Sequence, residues 1–112
     1  MISTSLTSLA QEQLKIAREA TSGRSAHTVF GGHDHVLRQT LIALAAGHNL
    51  ADHDSPGEAT LQVLIGRVRL VEGTNAQEGV AGDLLEIPAA RHRLEPLEDS
   101  AVLLTVAQPH GK

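Results

Sequence analysis

Cysteine, tryptophan and tyrosine are absent from this chain, and Phe30 is its only aromatic residue. Without cysteine there is no disulfide framework, and nothing points to an oxidising compartment. Binding sites for bases and sugar rings recruit aromatic faces for stacking. With one phenylalanine to offer, any pocket here is aliphatic and polar. No apolar window approaches the length of a membrane-spanning helix, and the stretch Met1 to Ser8 lacks the basic flank and unbroken apolar run of a signal peptide. The expectation is a cytoplasmic protein with no membrane partner. The formal net charge of −4 has both signs interspersed and leaves no basic stripe, which argues against nucleic acid as a partner. No Gly-x-Ser-x-Gly elbow is present, so acyl transfer has no support. Gly79-Val80-Ala81-Gly82 lacks the lysine and helix that follow a phosphate-binding loop.

What is present fits one domain. A chain of 112 residues buries about two-thirds of its unfolded surface, enough for a single core without staples. Leu6 to Ala20 is predicted as a helix: Leu6, Leu9, Ala10, Leu14, Ile16, Ala17 and Ala20 share one side, and only Gln13 intrudes on it. Ser3, Thr4 or Ser5 caps its start and Gly23 stops it. Beyond Gly23 the period shortens. Val36 to Ala46 reads as a strand. Ala59 to Ile65 and Arg67 to Val71 read as a hairpin turning at Gly66, with Leu61, Val63 and Ile65 lining the interior and Thr60, Gln62 and Leu64 facing away. Glu72 to Gly82 is a loop or short hairpin. Leu84 to Ile87, a turn at Pro88-Ala89-Ala90, His92 to Glu95 and Ala101 to Ala107 follow. Short strands at this spacing, with no helix between them, suggest an antiparallel sandwich or barrel.

Two glycine-framed stretches carry the sharpest signal. The first runs from Gly47-His48-Asn49-Leu50-Ala51-Asp52-His53 through Ser55-Pro56-Gly57-Glu58 to Gly66. The second runs from Gly82-Asp83-Leu84-Leu85-Glu86-Ile87-Pro88 to His92. Together they resemble the two motifs of the cupin family, over about residues 35 to 107. The resemblance implies an all-β cupin (double-stranded β-helix or jelly-roll) barrel over residues 25–112, preceded by a helix and connector over residues 1–24. It also implies a homodimer. Gly47, His53 and Gly66 match the first motif, whereas Ser55 stands where a second histidine belongs and Ala59 where a glutamate belongs. In the second, Gly82 and Pro88 match and Ala90 replaces a glycine. His92 comes one residue before the family's histidine position, which Arg93 occupies. The stretch Ser55 to Leu64 with Gly66 to Leu70 also looks like a group of small bacterial cupins without an assigned activity.

The resemblance places His53 and His92 as inward-facing ligands of a divalent metal such as Zn, Fe, Mn or Ni. A third ligand would be Glu58, giving the two-histidine, one-carboxylate set that suits iron or manganese, or His48. Strict alternation turns Glu58 outward unless Pro56-Gly57 makes a bulge, and its separation puts His48 on the face opposite His53. Two functions stay open: a small-molecule-binding cupin that holds a metal through these histidines, and a metal-free ligand-sensing or structural module in which the helix reports occupancy. His33 and His35 share a face but lie at an exposed strand entry, and His27 and His110 carry no signal. Arg67 and Arg69 share a strand face that Glu72 or Glu95 neutralises.

Overall fold

The computed structural model describes residues 1–55 and 57–108. A helix, α1 (Leu6–Glu19), is followed by nine strands among the described residues: β1 (Arg24–Phe30), β2 (Leu37–Leu44), β3 (Leu50–His53), β4 (Glu58–Ile65), β5 (Arg67–Glu72), β6 (Asn75–Val80), β7 (Leu84–Glu86), β8 (His92–Pro96) and β9 (Ser100–Ala107). They form two antiparallel sheets facing each other, one of five strands in the order β1-β2-β9-β4-β7 and one of four in the order β3-β8-β5-β6. His110 lies outside the described residues. No helix among the described residues is long and apolar enough to cross a membrane.

Period-two alternation sorts the side chains. Ile42 and Leu44 of β2, Leu61 and Val63 of β4, Val68 and Leu70 of β5, Leu85 of β7, Leu94 of β8, and Val102 and Leu104 of β9 meet in one core between the sheets. The intervening residues Leu41, Ala43 and Ala101 face the other way and pack beneath Ala10, Leu14 and Ala17 of α1. The larger sheet is therefore buried on both faces over much of its area, and the helix is its outer cover. Fully burying each aliphatic side chain contributes roughly 1.5–3 kcal/mol.

Ser5 caps α1 by accepting from the Ser8 amide at 3.2 Å. Gln13, the one polar residue on the apolar side, is buried because it accepts the hydroxyl of Ser25 from β1. Ile16 stays 47% exposed at the edge of the contact.

Several expectations change. Gly66 is not a hairpin turn. β4 and β5 belong to different sheets, so Gly66, at φ 84°, is the corner where the chain crosses between them. A Cβ there would fall onto the Asp99 carbonyl and the Ser100 hydroxyl. Ile65 does not line the interior: the β4–β9 register slips between Val63 and Ile65, and this bulge sends Ile65 to the helix side. β1 escaped sequence reading. Glu72 to Gly82, expected as a loop or short hairpin, is the hairpin that carries β6.

Candidate functional site

At the end of the barrel where β3 leads into β4 and β7 into β8, β3 pairs with β8 through Leu50↔Leu94 and His53↔His92. Three steps along β3 match two along β8, so a bulge at Ala51-Asp52 resets the phase and puts His53 on the inner face with Leu50. His92 shares that face with Leu94. The two rings meet edge to face, their centroids 4.5 Å apart and their planes at 63°.

Both rings are held in one tautomer. Nδ1 of His53 lies 2.9 Å from the Ala51 carbonyl oxygen, and Nδ1 of His92 lies 2.8 Å from that of Ala90. A carbonyl only accepts, so each Nδ1 carries a proton and donates it, and in the neutral ring Nε2 is the nitrogen with the lone pair. His92 is only 4% exposed. Neutral imidazole oriented by a backbone acceptor is the form that ligates metals. Two donors are fewer than the shell of a divalent ion requires, so the pair by itself is an incomplete site.

The other expected ligands lie elsewhere. Glu58 pairs with Ala107, out of phase with Leu61 and Val63, so it faces outward. His48 sits in the turn before β3, its ring packed where a Cβ on Gly23 would fall. Ser55 donates its hydroxyl to the Gly57 carbonyl at 3.0 Å. Ala59, paired with Val106, points inward but brings no donor. As the side chains stand, no three His, Asp or Glu residues among those described group closely enough to enclose a metal.

Glu72 ends β5 in the inner series Val68, Leu70, one residue past the last β5–β8 ladder pair, Val71↔Arg93. Asn75 pairs with it on β6. His53 pairs with His92 and Glu72 with Asn75 on the inner face of the smaller sheet. Leu50, Leu94 and Leu70 form the row beneath. On the opposite sheet the matching row is Arg38, Val106 and Ala59. The signal available in the sequence was the alternation from Arg67 to Glu72, which puts Glu72 on the apolar face.

The arginines of β5 and β8 point outward and are neutralised there. Glu95 bridges Arg93 at 2.8 Å and Arg69 at 2.9 Å, and these two guanidiniums hold its carboxyl below the usual carboxylate range. Of the two expected neutralisers, Glu95 fills the role and Glu72 does not. Arg67 lies 3.7 Å from Glu78 and 3.8 Å from Glu98. His33 and His35 occupy the exposed turn between β1 and β2, and the His35 ring lies edge-on to Phe30 at 5.5 Å.

This arrangement of sheets is the cupin fold. No family model matches the chain, and no curated protein does. Among solved structures it is similar to a conserved protein of unknown function from Streptococcus pyogenes, at 25% identity and TM-score 0.71, over 82% of this chain and 80% of that one. It is also similar to an RmlC-like cupin from Desulfovibrio desulfuricans, at 24% identity and TM-score 0.65, covering 75% of this chain and 81% of the other. A third, an RmlC-like cupin from Shewanella frigidimarina, is 16% identical with TM-score 0.68 over 83% of each chain.

Proposed function

We propose that this protein is a small-molecule-binding cupin whose ligand meets the His53–His92 pair at the open end of the barrel, with a divalent metal held at the two Nε2 atoms. The observation that carries this reading is the pair itself: adjacent imidazoles from separate strands, each with Nδ1 committed to a backbone carbonyl. That arrangement fixes the orientation and tautomer of each ring before anything binds, so little reorganisation accompanies ligation. A divalent ion there would supply a Lewis acid towards a ligand oxygen. The protein's own contribution is shape and polarity. The row beneath the histidines, Leu50, Leu94 and Leu70, is aliphatic.

Elemental analysis of untagged protein tests the reading, with the parent compared against His53→Ala and His92→Ala. Near-stoichiometric metal in the parent, lost in both variants, is expected. Equal and negligible metal in all three would overturn it.

A further inference from the structure

We propose that the free edge of β6 is a docking site for an extended, basic peptide segment of a partner protein. The segment adds a fifth strand to the smaller sheet and lowers a lysine or arginine into the trough between β6 and β7. The inference is independent of the metal reading of the His53–His92 pair. Three observations carry it. First, β6 pairs with β5 alone and β7 with β4 alone, so two strand edges lie open on one side of the barrel. At Val80 both backbone groups point away from β5: the amide donates to the Asp83 carboxylate at 2.8 Å, and the carbonyl accepts from the Asp83 amide at 2.9 Å. Backbone groups on alternate residues of a strand point the same way, so those of Ala76 and Glu78 also face outward. Among the described residues no strand pairs with them, and the Glu78 carbonyl has only the Gln77 side-chain amide, at 3.3 Å. Such an unpaired row is a template for an added strand.

Second, the trough beside that edge is acidic. Between Arg69 and Arg91 the chain has no lysine, arginine or histidine, yet it carries Glu72, Glu78, Asp83 and Glu86. These four border two depressions, of about 370 and 500 Å³, that share Gln77 and Glu86. Glu78 lies 3.7 Å from Arg67, and Asp83 accepts from Val80. Glu72 and Glu86 have no ion pair among the described residues, and both border the first depression, which reaches down to the buried Leu70. An apolar base below two carboxylates suits the alkyl stem and charged head of a lysine or arginine.

Third, the acids elsewhere on the smaller sheet are already neutralised. Glu95 has Arg69 and Arg93, and Asp52 has Arg93. The uncompensated charge therefore gathers where the backbone is open. Leu84, 63% exposed on the second depression, adds an apolar contact for a neighbouring side chain of the segment.

Titration of a capped heptapeptide of alternating lysine and valine into the full chain, followed by amide NMR, tests this. The largest shifts, with slowed hydrogen exchange, are expected at the Ala76 and Glu78 amides. The matching peptide of glutamate and valine is expected to bind at least tenfold more weakly. N-methylation of the lysine–valine peptide's backbone, which keeps its charge and removes its strand pairing, is also expected to cost at least tenfold. Glu72→Gln combined with Glu86→Gln is expected to weaken binding at least fivefold. Glu12→Gln combined with Glu19→Gln, which removes the same charge from α1, is expected to stay within twofold of the parent. Absence of binding, shifts centred away from β6, or indifference to peptide charge or to N-methylation would overturn the proposal. Equal losses in the two double variants would overturn it as well, since net charge alone would then explain the attraction.

Discussion

Ser100 holds the corner at which the chain passes from one sheet to the other, and replacing it with alanine isolates the energetics of that crossing. The residue is 1% exposed. Its hydroxyl accepts from the Arg67 amide at 3.2 Å and lies 2.8 Å from the Glu98 carbonyl and 3.1 Å from that of Arg67. The single hydroxyl proton serves those two carbonyls, and the Arg67 carbonyl keeps a second donor, the Leu97 amide at 2.9 Å. Alanine therefore removes the acceptor of the Arg67 amide and the donor of the Glu98 carbonyl in a part-buried setting. Leaving that amide unsatisfied costs about 1–3 kcal/mol. For a domain of this size that corresponds to a fall in Tm of roughly 4–12 °C. Urea unfolding followed by far-UV circular dichroism measures it, with an unchanged m-value showing that the exposed surface is the same. A loss below about 0.5 kcal/mol, the usual ceiling for neutral surface changes, would refute the claim that this hydroxyl fastens the corner.

Ser25→Ala alone is expected to destabilise by about 1 kcal/mol, because it removes the donor that satisfies Gln13 under the helix. Combining it with Gln13→Leu is expected to recover part of that loss, since both polar partners then leave together. Strictly additive losses in a double-mutant cycle would count against the pairing. Asp99 is held below the usual carboxylate range chiefly by the Arg18 guanidinium at 2.7 Å, and further by the Ala46 amide at 2.8 Å. Its folded pKa is thus lower than its unfolded one. The stability it contributes is complete above the unfolded carboxylate value, about 4, and disappears as pH falls through the folded value. Asp99→Asn is therefore expected to lose stability less steeply than the parent between about pH 5 and pH 2, measured by urea midpoints; identical slopes would contradict this.

The elements that could be read from the sequence are those whose two faces differ. α1 declares itself through a serine cap and an apolar side, and β5 through strict alternation from Arg67 to Leu70. β1 could not be read because neither of its faces is a continuous apolar surface: Ser25 meets Gln13 and Val29 packs under the helix, while Arg24, Ala26 and Thr28 stay exposed beyond the barrel core. β6 is similar. Asn75 and Gln77 sit on its inner side at an edge, so its composition looks like a loop. Gly66 looked like a hairpin because a glycine between two strands fits either a turn within one sheet or a corner between two, and only pairing partners distinguish them.

The residues alone pointed to a small antiparallel barrel or sandwich without disulfides, to a helix with one apolar side, and to His53 and His92 as candidate ligands. Tertiary structure decided the rest through strand register. One bulge in β3 brings His53 into phase with His92, and the pairing of Glu58 with Ala107 leaves Glu58 on the outer face. The physical reason is that a strand's side chains alternate, so a single-residue shift moves a functional group to the opposite face of the sheet. Such shifts depend on pairing across the whole chain and leave no mark on local composition.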